Sequence, residues 1–355
     1  RLRLPPDKEG EESEVMQRRN LLRAAAIGVG LSLAGAPVLA QDKTFLTMDS
    51  NPAGTTVGQF MIAFSQVVQK YLPIEIQIST GKPATKSAVD AARQQVDLYT
   101  GAPTINWYMQ NKAAMFAKVD DAPEMNATLR GMINYPLGPY QIVTYADSGI
   151  ETLDDIKGRK VFLGPPAGAA TKVMIDVVKA VTGYEPGEDF EIMRYDWSSA
   201  ETAFLDGQMD VYVVPTSMPS PQIQQFGLIR EIRFLGIPAD KMDHELIQAS
   251  LKYPGRTIWE IPPGSYDNQV NKEAVQTIGS WVGIQTQKWL GEDLVYDMVR
   301  TFFENLDEVH QTAPWMKTIT LNTALNEMNV PLHIGAYRYY KEQGVDIPEA
   351  LVPPE

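Results

Sequence analysis

"FLGPPAGAATKVMIDVVKAV", residues 162–181, is the stretch on which the reading of the chain turns. Phe162–Gly164 closes an apolar run, Pro165–Gly168 is a turn of small residues, and from Ala169 the apolar positions recur at helical spacing. Strand, small-residue turn and helix start is the order in which backbone N–H groups are presented to an anion. Nucleotide loops do not fit. Counted from Gly164, a phosphate-binding loop requires Gly, Lys and Ser or Thr at 169, 170 and 171, where the chain has Ala169, Ala170 and Thr171. A dinucleotide loop requires three spaced glycines, and here Pro165, Pro166 and Ala167 separate Gly164 from Gly168. The surviving feature suits a carboxylate as well as a phosphate. The alternative is an ordinary strand-to-helix connection.

Three other loops repeat the pattern. "SNPAGTTVG" (50–58) follows the strand-like "TFLTMD" (44–49) and opens the helix "QFMIAFSQVVQKY". "STGKPAT" (79–85) follows "IEIQIST" (74–80) and opens "ATKSAVDAARQQ". "PTSMPSP" (215–221) follows "MDVYVVPT", with Ser220 as expected cap and Pro221 at the first helical position. Four such loops facing one cleft make an anion or polar-ligand site, drawing on Ser50 in the first. Lys82, Lys172 and Arg194 are available to add full charge, although each is more often a solvated surface residue. Trp107, Tyr108, Tyr140 and Trp197 are candidate pocket walls, against the plainer reading as core aromatics.

Between these loops the chain alternates strand and helix. "YQIVTYADSGI" (140–150) reads as strand and turn, "TLDDIKG" as a short helix with Thr152 and Asp155 in a capping box, and "KVFLG" as the next strand. "DFEIMRYD" is strand-like and "SSAETAFLDG" helical, residues 253–275 are Pro/Gly-rich loop, and "TIGSWVGIQTQ" (277–287) is a returning strand. "GEDLVYDMVRTFFENLDEVHQ" (291–311) reads as the longest amphipathic helix, with Leu294, Met298, Val299 and Phe302 on one face. The alternation predicts an α/β fold with a parallel sheet flanked by helices, in two lobes with a cleft between them.

The 355 residues carry a net charge of −13 and no cysteine. The acidic balance without a Lys/Arg cluster argues against nucleic acid, and thiolate metal sites, disulfides and thiol chemistry are excluded. "MQRRNLLRAAAIGVGLSLAGAPVLAQ" (16–41) has the arginine-rich head, apolar run and small-residue cleavage site of an export signal. Its paired arginines resemble a twin-arginine signal, with a general secretory signal as the alternative. Residues 1–15, without Met and with five acidic side chains, read as an upstream extension outside the fold. No later run has the roughly 18 apolar residues of a membrane span, so no stable membrane insertion is expected. The three histidines, His244, His310 and His333, lack metal-ligand spacing, and there is no nucleophile elbow. No catalytic residue, metal or cofactor is expected.

At "YADSGIETLDDIKGRKVFLGPPAGAAT" the chain resembles the TAXI family, the extracytoplasmic solute receptors of tripartite ATP-independent periplasmic (TRAP) transporters. "GTTVGQFMIAFSQ", "STGKPATKSA", "AETAFLDGQMDVYVV", "PSPQIQQF", "FENLDEV" and "PLHIGAYRYYKEQGV" match in order along nearly the whole chain after the signal. The resemblance implies a two-lobed periplasmic-binding fold of type II-like arrangement, with residues 41–139 and 280–355 in lobe one and 140–279 in lobe two. It implies a receptor that closes on a small organic anion, such as glutamate or 2-oxoglutarate, and delivers it to a membrane permease. The site would draw on Gly54, Thr55 and Thr56, on Thr80 and Gly81, on Pro166, Ala167, Gly168, Ala169, Ala170 and Thr171, and on Thr216, Ser217 and Pro219. One departure concerns the first loop, where the family usually has "GTYYPLG" and this chain has Gly54-Thr55-Thr56-Val57-Gly58. A binding protein serving an ABC importer or a sensor kinase, and an exported enzyme on the same fold, are the other readings.

Overall fold

The computed structural model describes residues 43–354, so the export-signal and upstream-extension readings lie outside the described residues. The first half of the chain runs β1 (Thr44–Ser50), α1 (Thr56–Tyr71), β2 (Ile74–Thr80), α2 (Ala84–Ala92), β3 (Leu98–Gly101), α3 (Pro103–Gln110), α4 (Ala122–Asn126) and β4 (Leu129–Tyr145). It continues through β5 (Lys160–Phe162), α5 (Ala169–Thr182), β6 (Glu191–Ile192), α6 (Trp197–Leu205), β7 (Val211–Pro215), α7 (Pro221–Ile229), β8 (Ile232–Leu235) and α8 (Glu245–Leu251). The chain returns through β9 (Arg256–Ile261) and β10 (Val275–Gln287) to α9 (Glu292–Glu304), α10 (Leu306–Thr312) and α11 (Ile334–Glu342).

The strands form one sheet in the order β2-β1-β3-β10-β4-β7-β5-β6, with β8 on β4 and β9 on β10. It is mixed rather than parallel. The β1–β2, β1–β3, β5–β6 and β5–β7 pairs are parallel, but β4 and β10 run antiparallel to each other and to their other neighbours. These are the two long strands, 17 and 13 residues, and each pairs in both halves of the sheet. Around the crossing, Pro136 and Pro139 interrupt β4, the register shifts between Ser280 and Trp281, and Gly138 has φ +107°. A Cβ at Gly138 would lie 2.4 Å from the Thr216 carbonyl oxygen, so only glycine fits there.

Helices cover both faces of each half. In the first, the α1 apolar positions Val57, Phe60, Met61, Phe64, Val67 and Val68 follow the 3.6-residue repeat and face the sheet. Phe60 stacks on Tyr135 of β4 at 4.1 Å, and Phe302 of α9 closes the same core. On the other face Tyr99, Ile105, Tyr108 and Leu129 pack against α2 and α3. In the second half, Val173, Val177, Val213 and Ile142 form one core and Tyr212, Phe204, Phe226 and Phe234 the other.

Four local expectations need correction. Residues 256–261 form strand β9 inside the stretch read as loop, because Arg256–Ile261 finds a ladder partner in β10. The 291–311 helix breaks at Asn305, whose side-chain amide donates to the Thr301 carbonyl and competes with the helix. Among the described residues the longest helix is instead α1, with 16 residues. Ser220 sits at the α7 N-cap without capping it, its hydroxyl being drawn 3.0 Å to the Gly54 carbonyl. By contrast, the Thr152–Asp155 capping box is present, and the backbone N–H groups of Thr152 and Glu151 hold the Asp155 carboxyl below its usual range.

The α9–α11 contact generates two predictions. A Cβ on Gly335 would lie 2.2 Å from the Glu292 carbonyl oxygen. Gly335→Ala should therefore destabilise the fold by about 1–3 kcal/mol in urea unfolding. His333 caps α11 with Nδ1, which accepts from Gly335 N at 3.2 Å, while Nε2–H donates to the Leu290 carbonyl at 2.9 Å. The Nδ1 bond needs the neutral ring, whereas the Nε2–H bond is kept when the ring is protonated. Burial pushes the His333 pKa down to about 4, helped by the positive field of Arg130 and opposed by the Leu290 bond. Between about pH 6.5 and 4 the unfolded chain binds more protons than the folded one. The contribution is thus complete above pH 6.5 and is lost as the pH falls through 4. The stability gap between wild type and His333→Asn should shrink by about 3 kcal/mol from pH 7 to 4, measured by denaturant titration at each pH.

Candidate functional site

Where the two halves of the sheet meet, a cavity of about 70 Å³ is walled by residues from both. Pro83–Thr85 at the start of α2 and Thr100, Ala102 and Thr104 around the start of α3 come from the first half. Gly168–Ala170 at the start of α5, with Trp197 and Arg256, come from the second. Tyr140 of β4 and Ser280–Val282 of β10 form the floor.

Three helix N-termini therefore converge on one space, and none is capped by its own chain. The N-cap residues are Pro83, Ala102 and Gly168, which have no side-chain acceptor, and no side-chain capping bond is made. Of the other helices, α1, α6, α8 and α11 carry side-chain caps, with Thr55 accepting from Gly58 N and Asp196 from Ser199 N, while α4, α7, α9 and α10 do not. An uncapped first turn leaves N–H donors and partial positive charge for an outside acceptor.

A full charge stands beside them. Arg256, 9% exposed, donates from Nη1 to the Tyr140 hydroxyl at 2.6 Å, and its guanidinium carbon lies 5.4 Å from the Tyr140 ring centroid. Among the described residues Nε has no partner, and no carboxylate forms an ion pair with Arg256. The Thr100 hydroxyl in the same wall is also buried without a partner. Burial raises the Tyr108 phenol pKa, and the positive field of Arg256 opposes that rise. A desolvated guanidinium without a counter-charge is costly by several kcal/mol. An oxyanion placed against its Nε edge offsets that cost through two parallel hydrogen bonds.

Of the residues anticipated from sequence, Tyr140, Gly168, Ala169, Ala170 and Trp197 line this cavity. Thr171 folds back within its loop, donating to the Pro165 carbonyl at 2.6 Å. Pro166 and Ala167 face a separate hollow of about 260 Å³, and the Ala167 carbonyl accepts from Thr85 at 3.1 Å. Gly54, Thr56, Thr216 and Ser217 form a buried band joining the two halves. Thr216 Oγ1 accepts from Thr56 N at 3.0 Å, Thr56 Oγ1 accepts from Ser217 N, and Gly54 takes the Ser220 hydroxyl. Thr55 caps α1, Ser50 bonds the neighbouring Asn51 carbonyl, and Thr80 ends β2. The Gly81 carbonyl accepts from Trp197 N across the cleft at 3.4 Å. Lys82 is held by Asp49 at 2.7 Å and Asp90 at 2.8 Å, so its charge is already matched. Pro219 lies in an apolar groove of about 500 Å³ with Ala53 and Trp315.

The sequence reading missed Thr100, Thr104 and Arg256. "TGAPT" (100–104) follows a strand and opens a helix with Pro at the first position, the same signal as the other loops. No comparable local signal marks Arg256, which reaches the cavity only because β9 pairs with β10. Among the described residues no group of three or more His, Cys, Asp or Glu is placed to hold a metal, and no helix is long and apolar enough to cross a membrane.

Comparison with solved structures gives BugD, a periplasmic binding protein, at 12% identity over 84% of this chain and 94% of that one, with a TM-score of 0.52. The periplasmic aliphatic sulphonate binding protein SsuA from Escherichia coli is 12% identical over 86% and 88%, with a TM-score of 0.40. A TRAP periplasmic solute binding protein from Shewanella oneidensis with bound succinate is 10% identical over 78% and 82%, with a TM-score of 0.44. The architecture is the two-lobed α/β fold of periplasmic solute-binding proteins. A family model described as NMT1-like matches residues 111–344, and the chain belongs to the NMT1-like family.

Proposed function

We propose that this protein is an exported, non-enzymatic receptor of the TAXI type, which captures a small organic anion in the periplasm and delivers it to a TRAP permease. The observation that carries the reading is Arg256, a buried guanidinium without a counter-charge, set among three uncapped helix N-termini. The resemblance names dicarboxylates, oxoacids and acidic amino acids as the classes to consider. We take residues 41–139 with 280–355 as one lobe and 140–279 as the other, with β4 and β10 as the connecting strands. Opening separates α2 and α3 from α5 and Arg256. A bound anion touches donors from both sides, so it stabilises the closed form more than the open one. The permease then reads the closed surface.

A thermal-shift screen of organic acids on the protein lacking residues 1–40 tests the reading. An anionic ligand at 100 times its Kd should add about 2.7 kcal/mol of stability. Arg256→Met should weaken that ligand by about 2–5 kcal/mol, or at least 30-fold, in calorimetric titration. Its unliganded melting temperature should hold or rise, because a buried unpaired charge is removed. Equal affinity in the variant, or a response only to neutral or cationic solutes, rejects the anion receptor.

A further inference from the structure

Resting on that reading, we infer that the ligand is a monocarboxylate with no ammonium group, carrying an oxo or hydroxyl oxygen that meets Thr100. Three observations set the class.

The first is the count of charges. Arg256 is the one cation in the cavity wall among the described residues. The other candidates are committed elsewhere: Lys82 to Asp49 and Asp90, and Lys172 to Asp176, while Arg194 lines the separate hollow behind the loop. A second carboxylate would be desolvated opposite Val57, Ile105, Leu137, Trp281 and Val282, with no guanidinium or ammonium to receive it.

The second is the absence of a lining carboxylate among the described residues. The cavity thus offers no counter-charge to the α-ammonium of an amino acid, and the convergent helix N-termini repel it. The same wall that favours an oxyanion acts against a zwitterion.

The third is a free hydroxyl. Of the lining threonines, Thr85 donates to Ala167 and Thr104 to Pro254, whereas Thr100 Oγ1 is 6% exposed as a residue and unpartnered. A 2-oxo or 2-hydroxy oxygen supplies the missing partner.

Matched pairs in calorimetric titration separate this inference from the reading beneath it. Pyruvate should bind at least about 30-fold more tightly than alanine, and propionate than succinate, reflecting an unpaired buried charge in the weaker member of each pair. Pyruvate should also exceed propionate, and Thr100→Val should shrink that ratio about 10-fold. If succinate, 2-oxoglutarate or glutamate binds as tightly as pyruvate, and Arg256→Met abolishes it, the monocarboxylate assignment fails while the anion receptor stands. If no carboxylate of any class binds, both fall. A pyruvate-to-propionate ratio unchanged in Thr100→Val overturns the role given to that hydroxyl.

Discussion

The β4–β10 ladder is the constraint on which the rest of the structure depends. It is the one strand pair that enters both halves of the sheet, so the position of each half is transmitted to the other through it. Its irregularities sit where the halves meet. Gly138 is held at a positive φ against the Thr216 carbonyl, and the register slips beside Trp281, a residue of the cavity floor. A regular ladder would resist bending along its length. Proline and a register shift concentrate the compliance at a few bonds, next to the residues of the cavity.

That placement has a chemical consequence. The parallel units on either side bring their helix N-termini to the carboxyl ends of their strands, which is where a doubly wound arrangement puts its binding crevice. Here α2 and α3 point in from one side and α5 from the other, each with a cap residue unable to satisfy its own first turn. Four helices away from the cavity also lack a side-chain cap, so what distinguishes these three is their convergence on one space beside Arg256. Strand β9 then adds Arg256 to a wall already positive from backbone dipoles.

Much of this was legible in the residues. Alternating strand and helix patterns, the Thr152–Asp155 box, the small-residue loops and the aromatics gave the α/β class and five of the cavity-lining positions. The errors have physical sources. Period-2 patterning in "RTIWEI" was overridden in the reading by the surrounding Pro and Gly, although the ladder to β10 decides the matter. An amphipathic repeat across 291–311 is continuous in hydrophobicity, but Asn305 breaks the backbone through a single side-chain bond. Lys82 looked free because Asp49 lies far back along the chain and Asp90 lies eight residues on, and only the fold brings them together. Arg256 is the extreme case. Its role depends on a strand pairing between distant segments and on what is missing around it, and neither is written locally.

Several anticipated site residues, with their neighbours, form hydrogen bonds between the halves, and these bear on energetics. Thr56–Thr216, Thr56–Ser217, Ser220–Gly54, Thr85–Ala167 and Trp197–Gly81 are neutral hydrogen bonds. Each is worth about 0.5–1.5 kcal/mol net, because water replaces it when the groups separate. Under the proposed function Arg256 acts in the opposite sense, since closure without an anion desolvates it, and that buried charge makes the closed state conditional on the anion. In the proposed reading that is what a receptor requires: its closed surface should report a captured solute, not closure alone.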